Sequence, residues 1–304
     1  MGTSHKKYYC KTNFTDFIIY KFDKYKIKYI IKLLSYNLII KLNFMTNQKE
    51  SSIHLKFIRH GEKDWDNLSE IWKKHASSLD LPNTVAYASD KTRTQLTAYF
   101  ATNPDIKDFK KTLEDFENNS GKFRKVRINK KLWYDGNAEF YGKAIEAASK
   151  WEYSTFVIDS DKYFQDENDS TYTKVAWDFA EIILNYCKIR DYAMDRWRLP
   201  KVSKEFNRLF VSHQWVLELI MFKLIEQNEW REWLENFIKE NHLEWWVDFC
   251  EWIDVYIYKD RIKLKFRNHE YSMDEDFLKN LINERDELYK KNKFVPKNWV
   301  DDVM

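Results

Sequence analysis

Leu55-Lys56-Phe57-Ile58-Arg59-His60-Gly61-Glu62-Lys63-Asp64-Trp65-Asp66 is the stretch on which the reading of this chain turns. An apolar run with β-branched and aromatic members stops at Arg-His-Gly, and polar residues follow. That is the pattern of a buried strand whose carboxyl end opens into a loop. In open α/β sheets, ligands sit just outside the carboxyl ends of the strands. The chain therefore sets a cation, an imidazole and a glycine where a ligand would bind. Gly61 lets the backbone pass close to it, Arg59 can fork two oxygens of a phosphate, and His60 can attack phosphorus. Arg-His-Gly also occurs by chance, so its meaning rests on what accompanies it.

Moving outward, Ser69 to Leu79 has helical spacing, with Ile71, Trp72, His75 and Leu79 on one face and His75 packed there. Pro82 and Asn83 break that helix. Val85 to Ala88 reads as a short strand ending at Ser89-Asp90, either of which suits a helix N-cap. A helix from Thr92 to Ala101 follows, with Leu96 and Phe100 inward. Arg93 lies in its first turn, where free N–H groups favour anions. Residues 102–131 read as a polar surface excursion ending in a strand at Val126 to Ile128, and a helix covers Ala138 to Ala148. Residues 151–170 read as an acidic surface loop. Tyr172 to Arg190 is a strong helix, with Val175, Phe179, Ile182, Ile183 and Tyr186 at helical spacing. Arg208 to His213 is a second apolar strand ending in a histidine, and a helix from Val216 to Gln227 follows directly. Trp252 to Tyr258 and Arg261 to Phe266 alternate on either side of a Lys259-Asp260 turn, a β-hairpin guarded by lysines. A charged helix, Asp274 to Lys291, follows. This order predicts an α/β protein, a three-layer α/β/α sandwich with a mostly parallel central sheet and a C-terminal edge β-hairpin.

The 304 residues are 44% hydrophobic and 33% charged, the composition of a soluble globular protein. The net charge of +3 is unevenly spread. Residues 1–44 hold nine Lys against two Asp, an excess of +7, which leaves −4 from Met45 onward. A mildly acidic body gives no case for nucleic-acid binding. Lysines interrupt the apolar run Ile30 to Leu42 too often for a spanning helix, and no small-residue cleavage site follows it. Two readings of residues 1–44 stand: translated upstream sequence before a natural start at Met45, or a basic amphipathic arm on a membrane surface. Cys10, Cys187 and Cys250 are far apart and form no CxxC pair. They read as buried thiols of a reducing, cytoplasmic compartment, with no zinc site.

Three segments, each at a strand end, resemble in the same order the motifs of the histidine phosphatase (phosphoglycerate mutase-like) superfamily, branch 1. Arg59 to Asp66 resembles RHGETxWN, with Lys63 in place of Thr and Asp66 in place of Asn. Ser89 to Ala98 resembles SxxxRAxQTA, with Arg93 on the pocket arginine and Leu96 where Gln is usual. Val211-Ser212-His213 resembles VSHGG, with Gln214-Trp215 replacing the glycines. Lys131 to Asp135 and His213 to Glu218 are similar to segments of the small SixA-like phosphohistidine phosphatases. The resemblance covers Ile53 to Phe266 and divides the chain at residue 44. Residues 45–304 form the domain, with insertions near 102–131 and 151–170 and a C-terminal extension after about 267. The loop between Trp65 and Ser69 is shorter than the family's.

The resemblance implies a hydrolase acting on phosphomonoesters or phosphohistidine, without metal or cofactor. His60 would take up the phosphoryl group and water would release it. Arg59, Gly61, Asp66, Arg93 and a protonated His213 would hold the phosphoryl oxygens, where charge concentrates during transfer. Asp135 or Glu139 would protonate the leaving group, with Glu62 a third candidate. The partner would be a phosphorylated small molecule or a phosphoprotein. One alternative is a weak or inactive enzyme serving as an interaction module, with a protein partner on the Trp-rich segment Trp230 to Trp252. Another is phosphoglycerate mutase-type phosphotransfer.

Overall fold

A computed structural model of the chain describes residues 52–64, 67–82, 84–106, 108–119, 121, 123, 125–150, 152–165, 169–196, 207–228, 232 and 247–292. All of them belong to one compact unit that begins at Ser51. The basic leader 1–44, Asp66 and most of the Trp-rich segment lie outside the described residues. No helix among the described residues is long and apolar enough to cross a membrane.

The strands, in chain order, are β1 (Ile53–Arg59), β2 (Lys63–Asp64), β3 (Asn67–Leu68), β4 (Val85–Ala88), β5 (Val126–Ile128), β6 (Asn207–Ser212), β7 (Trp252–Ile257), β8 (Ile262–Phe266) and β9 (His269–Met273). The helices are α1 (Glu70–Ser78), α2 (Thr92–Thr102), α3 (Phe109–Asn118), α4 (Ala138–Ser149), α5 (Tyr153–Ile158), α6 (Tyr172–Asp195), α7 (Gln214–Asn228) and α8 (Glu275–Lys291). Among the described residues seven strands form one sheet in the order β5-β4-β6-β1-β7-β8-β9, while β2 and β3 pair separately. β5, β4, β6 and β1 run parallel. The pairings β1–β7, β7–β8 and β8–β9 are antiparallel. The sheet is thus mixed, with three parallel and three antiparallel pairings, rather than mostly parallel. For two of the antiparallel pairings the reason lies in the connections: β7, β8 and β9 are joined by short turns, which permit only antiparallel neighbours. Nor is the predicted hairpin the edge of the sheet, because β9 pairs outside β8.

Alternation along the strands sends side chains to two apolar clusters. Ile53, Leu55, Phe57 and Phe210 join residues of α4 to α8 in one, while Ile58, Leu209, Val211, Ala86 and Ala88 join α2 and α3 in the other. Phe57 stacks on Phe210 at 4.7 Å, and Tyr87 stacks on the same ring at 5.0 Å. Phe210 is 1% exposed, so truncating it to alanine would cost about 3–5 kcal/mol.

Three stretches hold structure that the sequence reading left out, and one helix face is corrected. The excursion at 102–131 contains α3, whose N-cap Asp108 accepts from the Lys111 N–H at 2.9 Å. The acidic stretch at 151–170 holds α5 and a 3-10 turn at Ser160–Tyr163. The extension after 267 opens with β9. On α1 the buried residues are Lys73 and Ala76, while Ile71 is 76% exposed and His75 is exposed beside Trp72, to which it stacks at 4.9 Å. Lys73 lays its aliphatic stem inward and brings its ammonium to Glu70 at 2.5 Å.

Candidate active site

β1, β6 and β4 end side by side, and the register sets Arg59 against Ser212 and Ala88 against Val211. His60, His213 and the start of α2 therefore emerge together at the carboxyl edge of the parallel half of the sheet. The His60 backbone N–H donates to the Ser212 carbonyl at 3.0 Å, which fixes the two strand ends to each other.

His60 Nδ1 lies 2.6 Å from the Gly61 carbonyl oxygen. A carbonyl can only accept, so Nδ1 carries the proton and Nε2 is the basic nitrogen. Arg93 Nε donates to that Nε2 at 3.0 Å. The Gly61 loop is itself held, because its N–H donates to Thr97 Oγ1 at 3.1 Å and Thr97 donates to the Arg93 carbonyl at 2.8 Å. A Cβ at Gly61 would lie 2.7 Å from Leu68 Cδ1 and 2.8 Å from Trp72 Cβ, so the close approach requires glycine.

The second imidazole meets the first edge to face at 5.1 Å between ring centroids. Arg93 Nη2 is 3.4 Å from His213 Nδ1, and Ser89 Oγ is 3.0 Å from His213 Nε2. One guanidinium thus spans both histidines. Because Arg93 can only donate, Nδ1 accepts and Nε2–H points at Ser89. The Ser89 hydroxyl passes the chain on to Thr94 Oγ1 at 2.8 Å, and Thr94 donates to the Lys91 carbonyl at 2.7 Å. Burial pushes the His213 pKa well below the usual 6.5, and His60, Arg93, Lys91 and Arg59 push it the same way. Among these neighbours His213 is neutral, whereas the family resemblance implies a protonated imidazole. A bound dianion would supply the charge that reverses the balance.

Arg59 is 6% exposed, donates from Nη1 to the Val247 carbonyl at 2.6 Å and lies 3.8 Å over the Phe249 ring. The loop before β7 therefore forms the floor on which this guanidinium rests. Trp133, which follows β5, meets His213 edge to face at 5.7 Å. Lys91 Nζ stands 3.4 Å over the centroid of that indole.

The candidate acids are placed differently. Asp135 Oδ1 accepts from the Gly136 N–H at 2.8 Å. Glu139 is exposed and accepts from Gln165 Nε2 at 2.6 Å. Glu62, also exposed, accepts from the Trp72 indole at 3.0 Å. His60, Arg93 and His213 are brought together with Gly61 between them and Arg59 behind, whereas these three carboxylates bond elsewhere. Among the described residues, no group of three His, Cys, Asp or Glu side chains is placed to hold a metal ion.

Sequence reasoning did not single out Lys91, Thr97 or Phe249, and it read Ser89 as a helix cap. The N-cap is Lys91, and the Ser89 side chain serves Thr94 and His213 instead.

No protein-family model and no curated protein matches the chain. Among solved structures the chain is similar to mycobacterial hydrolase 2, with a TM-score of 0.43 and 15% identity over 77% of this chain and 97% of that one. It is also similar to a mycobacterial glucosyl-3-phosphoglycerate phosphatase solved with VO3, with a TM-score of 0.40 and 15% identity over 71% and 98%. A phosphoserine phosphatase mutant from Entamoeba histolytica, in complex with phosphoserine, gives a TM-score of 0.37 and 14% identity over 73% and 95%.

Proposed function

We propose that this chain is a phosphatase of the histidine phosphatase type, hydrolysing a phosphomonoester or phosphohistidine through a phosphohistidine on His60. The carrying observation is the His60 ring, whose Nδ1–H is committed to the Gly61 carbonyl while Arg93 Nε marks the position facing Nε2 at 3.0 Å. A phosphoryl group entering there would meet a basic nitrogen already in the right tautomer. In the first step the Nε2 lone pair forms a bond to phosphorus, the bond from phosphorus to the leaving atom breaks, and that atom takes up a proton. In the second step water attacks the same phosphorus, the P–N bond breaks, and inorganic phosphate leaves. Arg59 and Arg93 supply fixed positive charge around the phosphoryl oxygens, and positioning of this kind supplies most of the rate in phosphoryl transfer. His213 becomes a donor when the phosphoryl charge raises its pKa. Asp135, Glu139 and Glu62 are the candidates to protonate the leaving group, and comparing substrates with good and poor leaving groups in Asp135→Asn, Glu139→Gln and Glu62→Gln chooses among them.

The test is turnover of p-nitrophenyl phosphate, a phosphohistidine protein, sugar phosphates and phosphoglycerates by the full chain. His60→Ala abolishes turnover, and Arg59→Ala, Arg93→Ala and His213→Ala each cost about 10²–10³-fold. Acid-labile phosphate is trapped on His60. Folded protein that turns over none of these substrates, or a His60→Ala variant that keeps its rate, overturns the proposal.

A further inference from the structure

Lys91 and Trp133 take no part in the chemistry just described, yet both stand at its rim. Lys91 follows β4, and Trp133 follows β5 through the one-turn 3-10 helix Lys130–Leu132. β4 and β5 are neighbours at the end of the sheet opposite β9. Three bonds lock the segment that carries Trp133. Asn129 N–H donates to the Ala88 carbonyl at 2.8 Å, Ser212 Oγ donates to the Leu132 carbonyl at 2.8 Å, and Trp133 N–H donates to the Lys130 carbonyl at 3.0 Å. The indole is thus a fixed platform, and the Lys91 ammonium is held over its face at 3.4 Å. Lys91 is half-buried, and no carboxylate among the described residues pairs with it. Most other half-buried lysines here have an acid, as Lys56 has Asp254 at 2.8 Å and Lys223 has Glu284 at 2.7 Å. A cation ordered on an aromatic face without an acidic partner is a ready anion site.

Its position also gives it a direction. His213 touches His60 on one side and Trp133 on another, with ring centroids at 5.1 Å and 5.7 Å. The Lys91–Trp133 pair therefore borders the site on the His213 side, and in-line transfer to His60 sends the leaving group away from His60.

We infer that Lys91, held on Trp133, is a specificity-determining residue that binds a second anionic group on the leaving-group side, so that the preferred substrates are phosphomonoesters carrying a further carboxylate or phosphate. This rests on the phosphatase reading of the site, but it is testable by binding alone. Calorimetric titration of phenyl phosphate, 4-carboxyphenyl phosphate and 1,4-phenylene bisphosphate into full-length His60→Ala, with and without Lys91→Met, isolates the second anion. With Lys91 present, the two compounds carrying a second anionic group bind about 10-fold or more tighter than phenyl phosphate, the size of one charge-assisted contact. Lys91→Met collapses that ratio towards one, and Lys91→Arg restores it. The carboxylate and bisphosphate arms show which anion is favoured.

Equal binding of all three compounds overturns the inference, as does no binding of any. So does a Lys91→Met effect that weakens all three equally, since the ammonium would then act only through the common field on His213. Second-anion selectivity in binding without turnover by the wild-type chain would overturn the phosphatase reading and leave the Lys91 site standing.

Discussion

Gly61→Ala is the smallest change that tests how the His60 loop is built. The added methyl would lie 2.7 Å from Leu68 Cδ1 and 2.8 Å from Trp72 Cβ. Ordinary contact begins near 3.4 Å, so about 0.7 Å of room must be found. Leu68 is 1% exposed, and Trp72 Cβ is fixed to the backbone of α1, so neither neighbour can simply swing away. Overpacking of this kind costs about 1–3 kcal/mol. For a chain of this size each kcal/mol moves the Tm by about 2–4 °C, so a loss of roughly 2–12 °C is expected. The larger effect falls on the chemistry. The Gly61 carbonyl is the group that accepts from His60 Nδ1, and its N–H is tied to Thr97. Shifting that peptide turns the imidazole, and a misplacement approaching 1 Å can cost about 10²-fold in rate. Thermal denaturation and kcat/KM on p-nitrophenyl phosphate, measured on the same preparation, separate the two effects. A Gly61→Ala variant with wild-type Tm and wild-type kcat/KM would refute the claim that this loop's close packing holds the nucleophile.

His213 makes the chain proton-linked in two ways. Its folded pKa is depressed, while the unfolded side chain titrates near 6.5, so stability falls as pH drops through about 6.5 and the unfolded state takes up the proton. The wild-type Tm should decline there more steeply than that of His213→Gln, and parallel pH profiles would contradict this. Phosphate binding should take up a proton at the same ring, so the Kd for inorganic phosphate weakens as pH rises through neutrality, and His213→Gln flattens the trend. Burial pushes the Cys187 and Cys250 thiols up to about 12, so neither reacts with a thiol reagent at neutral pH until the protein is denatured. Rapid labelling of either in the native chain, read by mass spectrometry, would count against the packing around Arg59 and α6. Thr97→Val removes the acceptor of the Gly61 N–H and should lower kcat several-fold at constant KM, a split that steady-state kinetics resolves.

The strands that carry the site were legible because each ends where apolar sequence gives way to polar sequence, at Arg59, Ser89 and His213. The helices behind them were legible for the same reason of periodicity, and Val175, Phe179 and Ile183 all face the core as their spacing predicts. α3 carried its signals too, an Asp108 cap and Phe109, Leu113 and Phe116 at helical spacing, but lysines and glutamates between them masked the pattern. β9 was hidden more deeply. The turn before it uses Arg267 at φ 51 without a glycine, and Glu251, 16 positions away, grips the Arg267 guanidinium. Within the site, His60, Arg93 and His213 could be named from local sequence. Ser89 on His213, Thr97 on Gly61 and Phe249 under Arg59 could not, because those roles exist only once distant elements meet.

The pairing of β1 carries a consequence for the growing chain. Among the described residues β1 is the first strand of the sheet in sequence, yet it pairs on one side with β6 and on the other with β7, where Ile53 lies opposite Ile257. Ribosomes add roughly 5–20 residues per second, so about 150 residues of delay leave the β6 edge of β1 open for some 8–30 s and about 200 leave the β7 edge open for some 10–40 s. A strand with the apolar face of Ile53, Leu55 and Phe57 and two bare edges is a template for aggregation. Arg59 meets its Val247 anchor across 188 positions, so the cationic floor forms only after most of the chain has emerged. Chains released before β7 would therefore be both inactive and adhesive, and recovery of soluble protein should improve when translation is slowed or a chaperone shields the first strand.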